Sequence, residues 1–319
     1  SGIAKQIPKG TVLSVRREGD AVQAYEEGGS PLLQSEEGIS LSYTDPRYTT
    51  FVFDLSYEQG YFFATEGDRF YRGALEFLNA EGGITVVNEV GIDEYLYSVV
   101  PSEIPSYWPA AALEAQAVAA RSYTLANLGT FSAKGFDLSG SVTSAAYRGA
   151  GGEAESTTAA VNATRGWVLL DGEKPLSAFY SSNSGGYTES TENVWGSASI
   201  HKAVPDLLIA ERIDPLPPAE LFSWIDSVPR SYSYSPPYAA RSSYRWEVIV
   251  SAGEIEARLK DSGIGRIVAL ISGKRGSSGR VYEVLIKGTD GEITLQGDKI
   301  RSKLGGLKSN LFTTEVKLG

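Results

Sequence analysis

One carboxylate in this sequence stands in surroundings that suit acid chemistry. Glu103 lies in the segment Val99–Pro105, between apolar residues and with Pro101 and Pro105 on either side. Apolar surroundings raise the pKa of a carboxyl group, so such a glutamate can donate a proton near neutral pH. The prolines would fix the backbone and therefore the direction of the side chain. The alternative is a solvated glutamate that caps the helix that follows.

A second segment is rich in groups that could hydrogen-bond a polyhydroxylated ligand. It spans residues 180–190 and contains paired glycines, which permit close backbone approach and positive φ. An ordinary polar turn has the same composition, and that alternative stays open. The candidate binding residues in this segment are Ser182, Ser184, Gly185, Gly186 and Thr188.

Isolated polar residues elsewhere are weaker candidates. Gln116 and Arg121 stand among alanines on a predicted helix, where a polar side chain needs a partner, either a ligand or another part of the protein. His201 is the one histidine, and a structural or surface role is the more common explanation for a lone histidine. The tyrosines of residues 232–244 could stack on sugars or pack in a core.

Composition excludes several classes of function. The chain has no cysteine, which excludes disulfides, thiolate metal sites and cysteine nucleophiles. Its 39 acidic and 29 basic residues give a net charge of -10, which argues against a sequence-independent nucleic-acid binder or a polybasic membrane-surface protein. No apolar run reaches the length of a membrane span. The start Ser1-Gly2-Ile3, without methionine, fits a removed leader or a cloning scar.

The 319 residues predict one large or two modest domains of the α+β class, because helix and strand patterns do not alternate regularly. We expect a β-rich N-terminal region over residues 1–69 and a second domain over 70–319, with a loop excursion at 212–242. The predicted helices are an Ala-rich, buried Pro109–Leu128, Ala252–Lys260 and, as a short helix or turn, Ile300–Gly305. The predicted strands are Thr11–Val15, Phe51–Leu55, Tyr61–Phe63, Ala74–Leu78, Ile84–Asn88, Trp167–Leu170, Leu176–Tyr180, Tyr244–Val250, Ile267–Ile271 and Val281–Lys287.

Several segments, in order, resemble the stage II sporulation protein D and amidase-enhancer family of bacterial cell-wall proteins. The resemblance extends over roughly residues 70–314 and is most specific at Ala112–Tyr123. The matching segments are Asp93–Pro105, Trp108–Pro109, Ala112–Tyr123, Tyr147–Gly149, Thr164–Gly166, Ser184–Glu189, Val194–Gly196, Ser278–Val281 and Ile300–Phe312.

The resemblance implies a lytic transglycosylase that cleaves peptidoglycan glycan strands outside the cytoplasm. Glu103 matches the family's catalytic acid, which would protonate the glycosidic oxygen and then act as a base, giving 1,6-anhydro-muramic ends. Gln116, Arg121, Tyr147 and the segment Ser182–Thr188 would position Glu103 and the sugars. No metal, thiol or cofactor is required. A cell-wall amidase is a further expected partner.

Two departures from the family pattern keep other interpretations open. Where members carry Cys and His zinc ligands, Phe136–Tyr147 has serines and small residues, which predicts no zinc site here. The chain also stops at Gly319 without the family's Gly-His-Gly-Val-Gly-type segment. That second departure favours the alternative of a non-catalytic glycan-binding protein or an amidase enhancer. A third hypothesis is an envelope protein whose N-terminal β region binds a partner.

Overall fold

The computed structural model contains two compact units, Ser1–Tyr180 and Ser181–Gly319. The structure describes residues 3–26, 28–45, 47–57, 65–80, 82–141, 143–196, 200–206, 218–228, 230–234 and 238–314. The α+β class predicted from the sequence is confirmed. The predicted domain boundary between residues 69 and 70 falls within strand β6, Thr65–Tyr71. The predicted division into domains stays a prediction.

The first unit begins with antiparallel strands. Three-stranded sheets have the orders β1-β2-β3 and β4-β7-β8, while β5 and β6 form a hairpin and β9 and β10 a short pair. In the sheet β4-β7-β8, Leu75 is fully buried and faces the helices that follow. The strands are β1 Leu13–Glu18, β2 Ala21–Glu26, β3 Pro31–Ser35, β4 Gly38–Leu41, β5 Thr50–Tyr57, β7 Ala74–Ala80, β8 Gly83–Glu89, β9 Leu170–Asp171 and β10 Lys174–Pro175.

Among its described residues, the first unit also has three α-helices: α1 Ile92–Glu103, α2 Ala110–Ala126 and α3 Glu155–Ala163. The sequence analysis assigned no helix to α1, although Leu96, Val99 and Val100 have helical spacing and are fully buried. Pro101 lies inside α1. Because proline has no backbone N–H, one helical hydrogen bond is missing there, and the helix ends two residues later at Glu103. The predicted helix Pro109–Leu128 is confirmed as α2.

The core of the first unit lies where these helices pack on one another and on β7. Leu113, Ala117 and Ala120 on α2 face Leu96 and Val100 on α1 within one cluster of buried side chains. Small alanine side chains allow the helix backbones to approach closely. The close packing fixes the end of α1, and therefore the position of Glu103.

The second unit is built on the antiparallel sheet β11-β12-β13, whose inner face carries fully buried Val284 and Ile286. Its predicted helix at Ala252–Lys260 is confirmed and begins with a capping box between Ser251 and Glu254. The elements of the second unit are α4 Thr191–Trp195, α5 Pro218–Asp226, α6 Arg241–Tyr244, α7 Ala252–Arg258, β11 Ile267–Ser272, β12 Glu283–Gly288, β13 Glu292–Gln296 and α8 Asp298–Lys303. Short 3-10 turns lie at Ser132–Lys134 and Ala150–Gly152 in the first unit and at Lys260–Ser262 in the second.

Two predictions in this unit need correction. One prediction in the first unit lies outside the described residues. The range 212–242, expected to be a loop, contains α5, whose Trp224 is buried. The strand expected at Tyr244–Val250 is absent: Tyr244 ends α6, and residues 246–250 have no regular structure or partner strand. The predicted strand Tyr61–Phe63 falls outside the described residues. In the described part of the chain, no helix is both long and apolar enough to cross a bilayer.

A core substitution on α1 tests the packing that fixes Glu103. Leu96→Ala removes a fully buried side chain, so we expect the free energy of unfolding to fall by about 2–5 kcal/mol. The matched control is Leu128→Ala, because Leu128 is 50% exposed and should change stability by less than about 0.5 kcal/mol. Urea titrations followed by circular dichroism give both values; equal effects would contradict the packing described.

Candidate active site

Glu103 is the last residue of α1, and the segment after residue 144 runs beside it. The backbone N–H of Ala146 donates a hydrogen bond to the Glu103 carboxylate. One turn earlier, the buried hydroxyl of Ser98 accepts a hydrogen bond from the Arg148 N–H at 3.0 Å. These two bonds fix the segment 146–148 against the last turns of the helix.

The carboxyl group of Glu103 is accessible to solvent and is also partly desolvated. The residue is exposed by its accessible area, yet neighbouring protein atoms desolvate the carboxyl and raise its pKa above the ordinary value. The Ala146 hydrogen bond opposes this shift without cancelling it. A group that water can touch but cannot fully surround is suited to exchange a proton with a ligand.

Three tyrosines, the tyrosine cluster, lie near Glu103: Tyr95 on α1, Tyr123 on α2 and Tyr180 at the end of the first unit. The negative charge of Glu103 acts on both Tyr95 and Tyr180, and Tyr123 acts on both as well. The rings of Tyr123 and Tyr180 meet edge to face, with centroids 6.4 Å apart. Burial is the main cause of the raised pKa of Tyr95 and of Tyr180, so both phenols stay neutral.

No pattern in the sequence predicted the tyrosine cluster. Its members are separated by 28 and 57 positions along the chain, and only the packing of α1 on α2 and the return of the chain at residue 180 bring them together. One signal was present: Tyr95, Val99 and Glu103 follow each other at steps of four residues. On a helix this spacing places them along one side.

Gln116 lies on the side of α2 that faces the tyrosine cluster. It precedes Tyr123 by seven residues, or about two helical turns, and therefore shares its face. The Nε2 atom of Gln116 is buried and has no hydrogen-bond partner among the described residues. The sequence singled out Gln116 as a substrate-binding residue, and that role stays a prediction.

Arg121 has a structural environment. It is 2% exposed, and its guanidinium donates to Asp93 at 3.0 Å, to the Val161 carbonyl at 3.0 Å and to the Thr164 carbonyl at 2.9 Å. A further bond reaches the Trp167 carbonyl at 3.2 Å. These contacts join α1, α2 and the end of α3, so Arg121 holds the helices together; its expected role in binding substrate stays a prediction.

Tyr147 also belongs to the protein core. Its hydroxyl donates to Asn88 Oδ1 at 2.6 Å, and its ring packs on that of Tyr95 with centroids 4.9 Å apart. Arg69 donates a hydrogen bond to its carbonyl at 3.0 Å. Because the hydroxyl and the ring both make contacts within the protein, Tyr147 supports Tyr95, and its expected role in binding a sugar stays a prediction.

The hydroxyl-rich segment Ser182–Thr188 belongs to the second unit, whereas Glu103 belongs to the first. Ser182 is exposed, while Ser184 donates to Asp206 at 2.6 Å and the Thr188 hydroxyl accepts from the Val204 N–H at 2.9 Å. Gly185 and Gly186 are buried with φ of +69° and +102°. That this segment meets Glu103 in one cleft stays a prediction.

Two arginines bind the backbone of this segment. Arg280 donates to the carbonyls of Ser184 and Tyr187 at 2.6 and 2.7 Å, and Arg245 donates to that of Gly185 at 2.9 Å. The sequence analysis singled out neither Arg245 nor Arg280 for this role. Their bonds show that the turn is held internally, which leaves Ser182 as its exposed hydroxyl.

The segment Phe136–Tyr147 is held by hydroxyl groups. Ser139 and Ser141 share a hydrogen bond of 2.9 Å, the Ser141 hydroxyl also bonds Thr143, and the Ser139 N–H donates to Ser144 at 3.1 Å. Within the described ranges, no three His, Cys, Asp or Glu side chains group in a way that could hold a metal ion.

A large cavity in the first unit is a separate feature. It is a groove of about 3800 Å³ lined mainly by strands β1–β8, with Tyr95 and Tyr147 at its edge. Glu103 does not line it. Size alone would select this groove, but Glu103, Tyr123 and Tyr180 do not line it, and we place the candidate site by its chemistry.

The part of the chain that contains Glu103 is similar to a known protein family. Residues 80–170 match the family described as stage II sporulation protein, and residues 235–318 match a domain of unknown function. The first match includes α1, α2 and α3. It is narrower than residues 70–314, over which the sequence motifs suggested a resemblance, and segment Ser182–Thr188 lies outside both matches.

Three curated relatives support the same assignment. An uncharacterized protein of Brachyspira hyodysenteriae is 35% identical over 149 residues, which are 44% of this chain and 40% of that protein. The amidase enhancer of Bacillus subtilis is 37% identical over 105 residues, 32% of this chain and 14% of the enhancer. Stage II sporulation protein D of Bacillus subtilis is 32% identical over 127 residues, 35% of this chain and 37% of that protein.

Over residues 80–170, the chain is similar to the stage II sporulation protein D and amidase enhancer family. The resemblance seen in the sequence is thereby confirmed. This chain spans less than half the length of each of these curated relatives.

Arg121 and Arg165 share the carboxylate of Asp93, and substituting each in turn tests the structural role of Arg121. Asp93 pairs with buried Arg121 at 3.0 Å and with Arg165, 67% exposed, at 3.1 Å. Arg121→Ala removes the buried partner of half-buried Asp93 and leaves backbone carbonyls of residues 161, 164 and 167 without this donor, so the free energy of unfolding should fall by about 3–5 kcal/mol. The control Arg165→Ala should cost less than about 1 kcal/mol. Similar losses in urea titrations would refute this assignment.

The pKa of Glu103 can be measured directly. We expect its carboxyl carbon to titrate in NMR above the ordinary value for glutamate, about 4.3, because burial disfavours the charged form. Glu254 is the internal control, since hydrogen bonds from Ser251 lower its pKa. Titration of Glu103 at or below the Glu254 value would show that its surroundings do not desolvate it.

The same shift predicts how stability depends on pH. The folded protein holds the Glu103 proton more tightly than the unfolded chain, so this part of the free energy of unfolding is greatest at low pH. It is lost as pH rises from about 4.3 through the higher pKa of the folded state. Glu103→Gln should remove this component, which urea titrations at a series of pH values would reveal.

Proposed function

We propose that this protein cleaves peptidoglycan glycan strands as a lytic transglycosylase, with Glu103 as the general acid and then the general base. The observation that carries the proposal is the solvent-accessible Glu103 carboxyl, whose pKa is raised. Similarity to the stage II sporulation protein D and amidase enhancer family supports a cell-wall-related role. Such a substrate places the protein outside the cytoplasm.

One carboxyl group is sufficient for this reaction. Protonated Glu103 gives its proton to the glycosidic oxygen as the bond from that oxygen to the anomeric carbon breaks. The 6-hydroxyl of the same muramic acid attacks the anomeric carbon, and the Glu103 carboxylate takes the proton of that hydroxyl. The product is a 1,6-anhydro end, and Glu103 is again protonated.

The surroundings of Glu103 suit both steps. Acid–base help from a positioned carboxyl accelerates a reaction by about 10²- to 10⁴-fold, and most strongly when its pKa lies near the working pH. Holding the internal hydroxyl in line contributes further through proximity. An ordinary glycosidase instead needs a second carboxylate to activate water or attack carbon. Here the attacking hydroxyl belongs to the substrate.

A second candidate function is a non-catalytic one, in which the chain binds glycan and enhances a cell-wall amidase. The observation that favours it is the match to the amidase enhancer of Bacillus subtilis, at 37% identity over 105 residues. In that case Glu103 would contact sugar without transferring a proton. The two functions differ in their products and in the effect of removing the Glu103 proton.

Product analysis separates these functions. Wild-type protein incubated with purified glycan strands and with intact sacculi should release fragments with anhydro-muramic ends, detected by mass spectrometry. Glu103→Gln keeps the size of the side chain but cannot donate a proton to the glycosidic oxygen, so we expect cleavage to fall by about 10²-fold or more while binding remains.

The matched control is Glu155→Gln, which neutralises an exposed glutamate at the start of α3. It should cleave like wild type. If no variant releases fragments while all still pellet with sacculi, the protein is a glycan-binding or enhancer protein. Equal cleavage by wild type and Glu103→Gln would remove Glu103 from the mechanism.

A further inference from the structure

The groove in the first unit is bordered by strands that have a free edge. Among the described residues, β1, β3, β4 and β8 are the outer strands of the two three-stranded sheets, and β5 pairs only with β6. Each of these five strands contributes residues to the groove. None of them makes a backbone hydrogen bond to the described chain outside its own sheet. The outer N–H and C=O groups of these strands therefore have no partner strand.

The interior of the groove is apolar and only partly covered. Leu33 on β3, Ile39 on β4 and Val86 on β8 line it and are half-buried. In the core between the helices, by contrast, Leu96 and Val100 are fully buried. An occupant that covered the remaining apolar area of the groove would gain free energy from the hydrophobic effect.

The size of the groove favours a segment of chain over a small molecule. Its volume of about 3800 Å³ exceeds the range of about 300–1,000 Å³ that is typical of small-molecule pockets. The free strand edges narrow the choice further. A peptide is the ligand whose own N–H and C=O groups recur at the strand spacing of about 3.3 Å per residue and can pair with such an edge.

Cations stand at the exposed rim of the groove. Six basic and four acidic side chains line it, in a chain whose net charge is -10. Lys9, Arg16 and Lys134 are exposed and form no ion pair with any residue that the structure describes. Each lies instead over an aromatic ring, with Lys9 Nζ 4.1 Å from the centroid of Tyr48. Because complementary charge attracts and orients a ligand, the groove favours an acidic occupant.

We propose that this groove binds an extended acidic segment of a partner protein, which adds a strand to one of the free edges and alternates apolar with acidic residues. Successive side chains of a strand point to opposite faces. The apolar set would pack in the interior of the groove, and the acidic set would reach the cations of the rim. Glu103 does not line the groove, so this inference goes beyond the proposed function and does not depend on it.

The test uses the full chain and a fluorescent decapeptide in which valine alternates with glutamate, with binding followed by fluorescence anisotropy. We expect micromolar affinity that weakens as salt is added, because salt screens the exposed charges. A peptide with lysine in place of glutamate should bind at least about 10-fold more weakly.

Backbone methylation tests strand addition separately from charge. Two further peptides keep every side chain and carry N-methyl groups on all valines or on all glutamates, which removes the N–H donors along one edge of the peptide. One of the two should bind at least about 10-fold more weakly, and the other should keep most of its affinity, because an added strand pairs through one edge.

Charge reversal at the rim tests the position of the site. The double variant Lys9→Glu, Lys134→Glu should bind the acidic peptide about 10-fold more weakly. The matched control is Lys174→Glu, which reverses an exposed lysine on β10 that does not line the groove. It should bind like wild type. Glycan cleavage should be the same in all three proteins, so failure of the inference is distinct from failure of the proposed function.

Several results would overturn the inference. They are no binding of the acidic peptide, equal binding of the acidic and basic peptides, equal losses in the double variant and in Lys174→Glu, and no effect of either methylated peptide. Binding of linear polyphosphate without binding of the peptide would assign the groove to an anionic polymer. A dimer that the double variant dissociates, detected by analytical ultracentrifugation, would assign it to a second copy of this chain.

Discussion

The guanidinium of Arg121 joins three helices at one buried point. Arg121 belongs to α2. Its guanidinium donates hydrogen bonds to Asp93 at the start of α1 and to carbonyls at the end of α3. A charge 2% exposed is stable there only because each of these groups offers it an oxygen. The direction of α1 follows from this arrangement, and Glu103 is the last residue of α1. The candidate site therefore depends on Arg121, whose guanidinium donates its described hydrogen bonds to groups of the protein itself.

Desolvation of the Glu103 carboxyl is the second constraint on the candidate site. The Glu103 carboxyl is disfavoured in its charged form by its neighbours and favoured by a single backbone donor, Ala146. The tyrosine cluster adds phenols that stay neutral and so bring no counter-charge. This balance keeps the proton on Glu103 to a higher pH than in water. An acid of this kind suits a reaction in which one group both gives and receives a proton.

Local patterns predicted some of this structure and missed the rest for identifiable reasons. Helix α2 was predicted because Pro109 and Gly129 mark its ends. Helix α1 was missed because Pro101 is usually a helix breaker, and here it precedes the last two residues, where little helix remains to be disturbed. The strand at Tyr244–Val250 failed because an apolar alternation makes a strand only if another strand pairs with it.

The site shows the same division. The apolar context of Glu103 is local, and the sequence pointed to it. The contacts of Arg121 could not be predicted, because a polar residue among alanines has the same sequence signature whether its partner is a ligand or Asp93. The tyrosine cluster requires contacts between α1, α2 and residue 180, and no short pattern contains all three. Binding residues from the second unit stay predictions, since their relation to Glu103 is a long-range property of the fold.

The hydroxyl bonds of Ser139, Ser141, Thr143 and Ser144 have a consequence for the conditions the protein can meet. Serine and threonine side chains neither ionise near neutral pH nor take part in thiol chemistry. The chain as a whole contains no cysteine and no methionine, and therefore no sulfur atom. The shape of this loop, which continues into the Ala146 N–H that touches Glu103, is accordingly insensitive to oxidants, reductants and thiol reagents that would alter a loop held by cysteines.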